Sequence, residues 1–296
     1  MYDIIIIGAG PSGLTAALYA LRANKKVLVL EGLSYGGQII NASLVENYPG
    51  VMDISGFDFA TNLYNQVVKI GAEIKYERVI EVTKVRKVKT TDNEYSAKAI
   101  IIATGAEKRK LGLKREEELT SKGVSYCATC DGNFYKDKVT AVVGGGNTAL
   151  EDAVYLSNIA KKVYLIHRRD SFNGENKYLE ELNSKDNVEF ILNSNVIKLN
   201  GENKLESIEV KDNDGNSKRI DVDGLFIAVG QMPKNEMFEG LLDMENGYII
   251  ADEDMHTSVD KIYAIGDTRV KKLRQLTTAV SDGAIGATTA IKEMEE

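Results

Sequence analysis

A strand, a glycine-rich turn and a helix follow one another twice in this sequence, and that repetition restricts the fold more than any other feature. The first copy runs from residues 3–7 (DIIII) through Gly8-Ala9-Gly10-Pro11-Ser12-Gly13 into a helical stretch at 14–23, then a second apolar strand at 27–30. The second copy runs from 139–143 through Gly144-Gly145-Gly146-Asn147-Thr148-Ala149 into a helical stretch ending near 159, then a strand at 163–166. Strands that are apolar without alternation belong to a parallel sheet covered on both faces. Two such units predict an α/β chain with two Rossmann-like dinucleotide-binding domains. Apolar runs also meet glycine turns at 98–105 (KAIIIATG), 224–230 (GLFIAVG) and 261–267 (KIYAIGD). The last of these lies beyond the second copy, so the second domain is expected to be inserted into the first. The expected limits are 1–112 and 243–296 for the first domain and 113–242 for the second. With only 3 prolines and no Ser/Gly tract, no long linker is expected.

The turns differ in what they can bind. Gly8-x-Gly10-x-x-Gly13 sits between strand and helix, the context that a dinucleotide fingerprint needs. Gly8 permits the tight turn, Gly10 lets the backbone approach a pyrophosphate, and Gly13 allows close helix–strand packing. The helix N-terminus offers free N–H groups and partial positive charge to phosphate. Glu31 ends the second strand, about 18 residues after Gly13, where a carboxylate accepts from ribose hydroxyls. The second turn, Gly144-x-Gly146-x-x-Ala149, leads instead to His167-Arg168-Arg169. Arginines there would bind a 2′-phosphate that a carboxylate would repel. The first site therefore favours a free ribose and the second a phosphorylated one. The plainer reading of Arg168 and Arg169 is a solvated charge pair.

The chain has 2 cysteines, in Cys127-Ala128-Thr129-Cys130, followed by Asp131-Gly132. A C-x-x-C near βαβ units in a chain expected to be cytosolic reads as a redox motif. Such spacing permits a small disulfide ring and lowers one thiol's pKa. Asp131 is placed to pass a proton to a leaving thiolate. A zinc site is the rival, but it needs about four ligands, and the only histidines are His167 and His256. A purely structural disulfide is unexpected in a cytosolic chain. The formal net charge of −7 does not suggest a nucleic-acid partner. The opening apolar run is too short for a signal or membrane segment. No membrane or metal association is expected.

Together these motifs resemble the low-molecular-weight bacterial thioredoxin reductases over essentially the whole length. The matching stretches are GAGPSGLTAALYALR, GGQI at 36–39, VENYPG at 45–50, IIATGA at 101–106, CATCDG, GGGNTALEDAVYLSNIA, HRRD, AIGDTR at 264–269 and RQLTTAVSDGAIGA at 274–287. The resemblance implies a cytoplasmic homodimeric flavoprotein. FAD would lie near Gly8, Gly10, Gly13, Glu31, Gly37, Gln38, Asn47, Ala103, Gly105, Gly266, Asp267, Arg274, Gln275 and Leu276. NADPH would lie near Gly144, Gly146, Asn147, Thr148, His167, Arg168 and Arg169. It further implies that Cys127 attacks the disulfide of thioredoxin or a thioredoxin-like protein, that Cys130 faces the flavin, and that Asp131 is the general acid. Ferredoxin–NADP reductases of similar fold lack the dithiol, and the reductase partner of alkyl hydroperoxide systems carries an extra N-terminal thioredoxin-like region.

One position departs from the family pattern H-R-R-x-x-x-R: the third arginine is Asn173. Losing one charge-assisted contact to a 2′-phosphate costs about 1.5–3 kcal/mol, or roughly 10- to 100-fold in affinity. NADPH stays the expected donor, with NADH or reduced ferredoxin as alternatives that keep the dithiol. A flavoprotein sensor that does not turn over is a reading of a different class.

Overall fold

The computed structural model describes residues 1–42 and 44–295. It divides into two compact units: Met1–Glu107 with the segment from Met232 onward, and Lys108–Gln231.

In the first unit β1 (Tyr2–Ile7) leads through the glycine turn into α1 (Pro11–Arg22), and β2 (Val27–Leu30) follows. Pro11 occupies the first turn of α1, where its fixed φ suits the helix and its missing N–H is not needed. The helix therefore starts earlier than the apolar pattern from 14 suggests. Parallel pairing sets the order Glu73–Lys75, β2, β1, Glu94–Ile102, Ile262–Ala264. The start of Glu94–Ile102 pairs antiparallel with Lys87–Thr90, which pairs with Val79–Val82.

Side chains alternate across a strand, so an unbroken apolar strand must be covered twice. Ile4 and Ile6 of β1 join one buried cluster with Leu14, Ala17 and Ala20 of α1. Ile5 and Ile7 join another on the opposite face, with Val79, Val88, Phe238 and Leu242. Because Phe238 and Leu242 fill this second core, residues 232–242 belong to the discontinuous unit. The expected boundary near 243 placed them in the insert, and packing moves it upstream. The limit expected near 113 moves likewise to 107/108.

The second unit repeats the plan. Its β3 (Val139–Gly144), α2 (Asn147–Ser157) and β4 (Lys162–Ile166) lie in a parallel sheet of order Val188–Ile191, β4, β3, Gly224–Ala228, Val124–Ser125. One face packs on Ala149, Leu150, Ala153 and Leu156 of α2. The other packs on a three-stranded antiparallel sheet, Ser194–Asn200, Ser207–Asp212 and Ser217–Asp221. In the first unit, α3 (Leu276–Glu295) presents a buried stripe of Asp282, Gly283, Gly286, Ala287 and Ala290. A Cβ on Gly283 would overlap the Ser12 carbonyl of α1, so glycine there lets the two helices approach. Among the described residues, no helix is long and apolar enough to cross a membrane.

Candidate functional site

The first glycine turn is built as the sequence suggests. Gly8 has φ +111°, and a Cβ there would overlap the Ala103 carbonyl. A Cβ on Gly13 would overlap the Gly8 carbonyl. Gly10 is different: a Cβ would meet only the Gly37 Cα, 3.9 Å away. Its role is thus to leave room, not to relieve contact. Gly10 caps α1 in an extended conformation with no side-chain hydrogen bond, so the helix's first N–H groups face outward without a side-chain acceptor. The Glu31 carboxylate accepts from Ala9 N–H at 2.9 Å and from Leu33 N–H at 3.0 Å. These bonds fix it beside the turn, and a carboxylate retains acceptor capacity beyond them.

Other residues named from the sequence gather here. Gly36 donates its N–H to the Ala9 carbonyl at 2.8 Å, laying Gly37 and Gln38 beside the turn. The Asn47 amide donates to Gln275 Oε1 at 3.2 Å. Gly105 has φ +69° and open space where a Cβ would stand. Gly266 backs onto Ser12, which brings the Gly266–Thr268 turn, and with it Asp267, to the start of α1. Arg274 bonds the carbonyls of Lys271 and Arg269 and lies over the Tyr248 ring at 4.1 Å. Leu276 opens α3.

Asp282 was not singled out from the sequence. Only 4% exposed, it accepts from Gly266 N–H at 2.9 Å, from Arg269 Nε and Nη2 at 2.8 and 3.0 Å, and from Lys271 Nζ at 2.9 Å. Burial pushes its carboxyl pKa up, but Arg269 and Lys271 outweigh burial and hold it below the ordinary value. Asp282 therefore ties the 266–271 loop to α3. The sequence signal was an acid on the small-residue face of a helix.

The second turn has the same uncapped form, with Gly146 extended before α2. Asn147 is committed elsewhere: its Oδ1 accepts from Glu175 N–H at 2.7 Å. Thr148 is exposed in the first turn of the helix. His167 is 7% exposed and stacks on Phe172 with ring centroids 5.1 Å apart. A Cβ on Gly145 would overlap the His167 ring, so this glycine is what lets the histidine lie under the turn. Burial pushes its pKa below the ordinary value, and the charges of Arg168 and Arg169 act in the same direction. The structure thus separates His167, neutral and packed, from Arg168 and Arg169, which are exposed. Asn173 donates its N–H to the Gly145 carbonyl at 2.8 Å, which places the departing position against the second glycine turn.

Cys127 and Cys130 form a disulfide with Cα atoms 5.3 Å apart. Cys127 precedes the one-turn helix Ala128–Asp131 and Cys130 lies within it; the Asp131 N–H bonds the Cys127 carbonyl at 3.1 Å. The turn lies directly on α2, because a Cβ on Gly132 would crowd the Tyr155 ring. Ser125 is the residue that sequence reading missed. Buried, it donates its hydroxyl to Asp131 Oδ2 at 2.6 Å and accepts from Cys127 N–H at 3.1 Å. One hydroxyl thereby fixes both the first cysteine and the neighbouring acid. No sequence pattern distinguishes such a serine from other small polar residues before a motif. Among the described residues, no cluster of His, Cys, Asp or Glu could hold a metal.

Two dinucleotide folds with open glycine turns, one of them carrying a C-x-x-C disulfide beside an acid, define a nucleotide-dependent disulfide oxidoreductase. The model of the pyridine nucleotide-disulphide oxidoreductase family matches residues 2–283. A thioredoxin reductase of Listeria innocua is 44% identical over 100% of this chain and 95% of its own length. One of Bacillus subtilis is 42% identical over 100% and 96%. The crystal structure of a thioredoxin reductase from Streptococcus pyogenes superposes with a TM-score of 0.94 at 42% identity, covering 100% of this chain and 98% of the other. The chain belongs to the pyridine nucleotide-disulphide oxidoreductase family, in its thioredoxin reductase branch. It is accordingly a flavin-dependent disulfide oxidoreductase, of a family that uses FAD and a nicotinamide nucleotide. The open space at Gly10, the uncapped start of α1 and the anchored Glu31 fit FAD at the first turn.

Proposed function

We propose that this protein passes electrons from NADPH, through FAD, to the Cys127–Cys130 disulfide and on to thioredoxin or a thioredoxin-like protein. The observation that carries this reading is the disulfide itself, seated on the helix that follows the second glycine turn and flanked by Asp131. FAD, when bound, takes hydride from the nicotinamide and supplies an electron pair. The protein's own groups do the rest.

Reduction breaks the Cys127–Cys130 bond and leaves a thiolate and a thiol. The Cys127 thiolate attacks one sulfur of the partner's disulfide and forms a mixed disulfide. The partner's other sulfur leaves with a proton from Asp131. Cys130 then attacks Cys127, the mixed disulfide breaks, the partner leaves as a dithiol, and the intramolecular disulfide returns. Thr129 Oγ1 lies 3.4 Å from Cys127 Sγ, within reach to donate to a thiolate there. Ser125 keeps Asp131 and Cys127 in register through these steps. Gly8, Gly10, Gly13, Glu31, Gly37, Gln38, Asn47, Ala103, Gly105, Gly266, Asp267, Arg274, Gln275 and Leu276 would hold FAD. Gly144, Gly146, Asn147, Thr148, Arg168 and Arg169 would hold the nicotinamide nucleotide, with His167 supporting the turn from beneath. A cytoplasmic homodimer is the working form in this reading.

Asn173 favours one variant of this reading, a relaxed preference between NADPH and NADH. The test is anaerobic. The yellow flavoprotein is mixed with NADPH, NADH or reduced ferredoxin, and flavin bleaching is followed. Bleaching by NADPH and subsequent reduction of thioredoxin are expected. No bleaching by either nicotinamide would sink the reading, and bleaching without reduction of any thioredoxin would indicate a sensor. Cys127→Ser and Cys130→Ser should each keep flavin reduction and lose turnover with thioredoxin; normal turnover in either overturns the assignment.

A further inference from the structure

A buried acid beneath the dithiol plays no part in the scheme above. Ala149, Ala153 and Leu156 form the apolar face of α2 that meets Ala128, the residue after Cys127. Asp152 interrupts that face. It is 8% exposed, and carboxylates are seldom buried without a paired cation. One carboxylate oxygen accepts from the Ala128 N–H. Its Oδ2 is buried and has no hydrogen-bond partner among the described residues.

We propose that Asp152 is a positioning and proton-holding residue of the dithiol, its carboxylate taking up a proton when the Cys127–Cys130 disulfide is reduced. This inference rests on the dithiol reading above. In balance, the disulfide accepts two electrons from the reduced flavin and its S–S bond breaks. One sulfur takes a proton and the other stays a thiolate. A second proton from solvent converts the Asp152 carboxylate to a carboxylic acid. The reason is like-charge coupling: a new thiolate one residue from the N–H that Asp152 holds disfavours a second negative charge nearby.

The surroundings put the group in the right range. Burial pushes the Asp152 carboxyl up to about 7, against the opposing pull of the Lys108 charge and of the Ala128 N–H, with Glu151 adding to the rise. The elements around it bring few other charges. The turn above carries Cys127, Cys130 and Asp131. The sheet below contributes Val142, Val163, Leu165 and Phe226 to the shared cluster. From the neighbouring helix Asn176–Asn183, the Tyr178 hydroxyl is given to Glu151. Asp152 is thus a group titrating near neutrality that is hydrogen-bonded to the residue next to Cys127.

The test uses the full flavoprotein, reduced with dithiothreitol, freed of it, and alkylated with iodoacetamide at Cys127 between pH 5 and 9. Wild type should show two inflections. Asp152→Asn keeps the acceptor for Ala128 but cannot ionise. It should show one inflection, with alkylation near pH 6.5 faster by about 3- to 10-fold. Asp152→Glu should restore the second inflection. Coinciding wild-type and Asp152→Asn profiles overturn the proposal. If Asp152→Asn does not fold, the reduced-minus-oxidised infrared spectrum of wild type at pH 8 decides. A gained protonated-carboxyl band supports proton uptake, and its absence overturns it. The dithiol reading fails separately, through normal turnover by Cys127→Ser.

Discussion

Replacing Asp282 with alanine tests whether the buried charge cluster holds the C-terminal part of the first unit in place. In wild type one carboxylate satisfies Arg269, Lys271 and the Gly266 N–H. The side chains of Lys271 and Arg269 are 7% and 15% exposed. Alanine leaves two cations facing each other in a largely dry site and an unpaired N–H beside Asp267. Removing one partner of a buried ion pair costs about 3–5 kcal/mol. With a urea m-value of about 2 kcal/mol/M, the midpoint for the first unit should fall by about 2 M. The assay is urea unfolding followed by flavin release, with far-UV circular dichroism alongside. The pH dependence supplies a second check. Asp282 titrates below its ordinary value in the folded state. Its contribution is therefore present above the unfolded carboxylate pKa of about 3.9, and it is lost as pH falls through the folded value. The gap between wild type and Asp282→Ala should begin to narrow as pH falls below about 4. A loss below about 1 kcal/mol at pH 7, or a gap that does not change with pH, would refute the reasoning.

Three further outcomes can be measured. Ser125→Ala should slow thioredoxin turnover by about 10-fold, the equivalent of one hydrogen bond of about 1.4 kcal/mol, while stopped-flow flavin reduction by NADPH stays unchanged; unaltered turnover would show that Asp131 needs no such support. Asn173→Arg should tighten NADPH binding by about 10-fold and leave NADH binding unchanged, as read by equilibrium titration, and equal effects on both would exclude a 2′-phosphate contact. Asp152 has a folded pKa raised to about 7. Its contribution to stability is therefore full below pH about 4 and lost as pH rises through 7, so Asp152→Asn should be more stable than wild type at pH 8 by up to about 4 kcal/mol and no more stable at pH 4. Denaturation at both pH values checks this, and a variant weaker than wild type at pH 8 would contradict it.

What could be read from the sequence was whatever repeats or follows a fixed spacing. Four consecutive isoleucines announced a strand buried on both faces, and Ile4 with Ile6 and Ile5 with Ile7 do enter opposite cores. Glycine turns and the cysteine pair depend on local geometry, so a short window reveals them. The sequence also placed Gly13 correctly as a close-packing residue. Residues 232–242 were assigned to the wrong unit because only long-range packing of Phe238 and Leu242 ties them to β1 and β2. Ser125, Asp152 and Asp282 escaped notice for a related reason. Asp152 and Asp282 act on partners set by tertiary structure, the Ala128 N–H and the Gly266 N–H, while Ser125 acts on Asp131 and the Cys127 N–H through a local turn whose geometry no spacing rule announces. His167 belongs to the same class, since its neutrality follows from lying under Gly145, which its proximity to two arginines does not reveal.

The packing of α1 against α3 has a consequence for synthesis on the ribosome. The helix that follows the first glycine turn is made early, but its packing partner is α3, which begins only at Leu276. Between them comes an entire second unit with its own core. That unit has every strand it needs within residues 108–231 and can condense while the chain is still growing. In the first unit, by contrast, α1 gains its close contact with α3 only once Gly283 has been made. Closing of the α1–α3 contact is therefore a late event in synthesis, after the second unit's residues have been made.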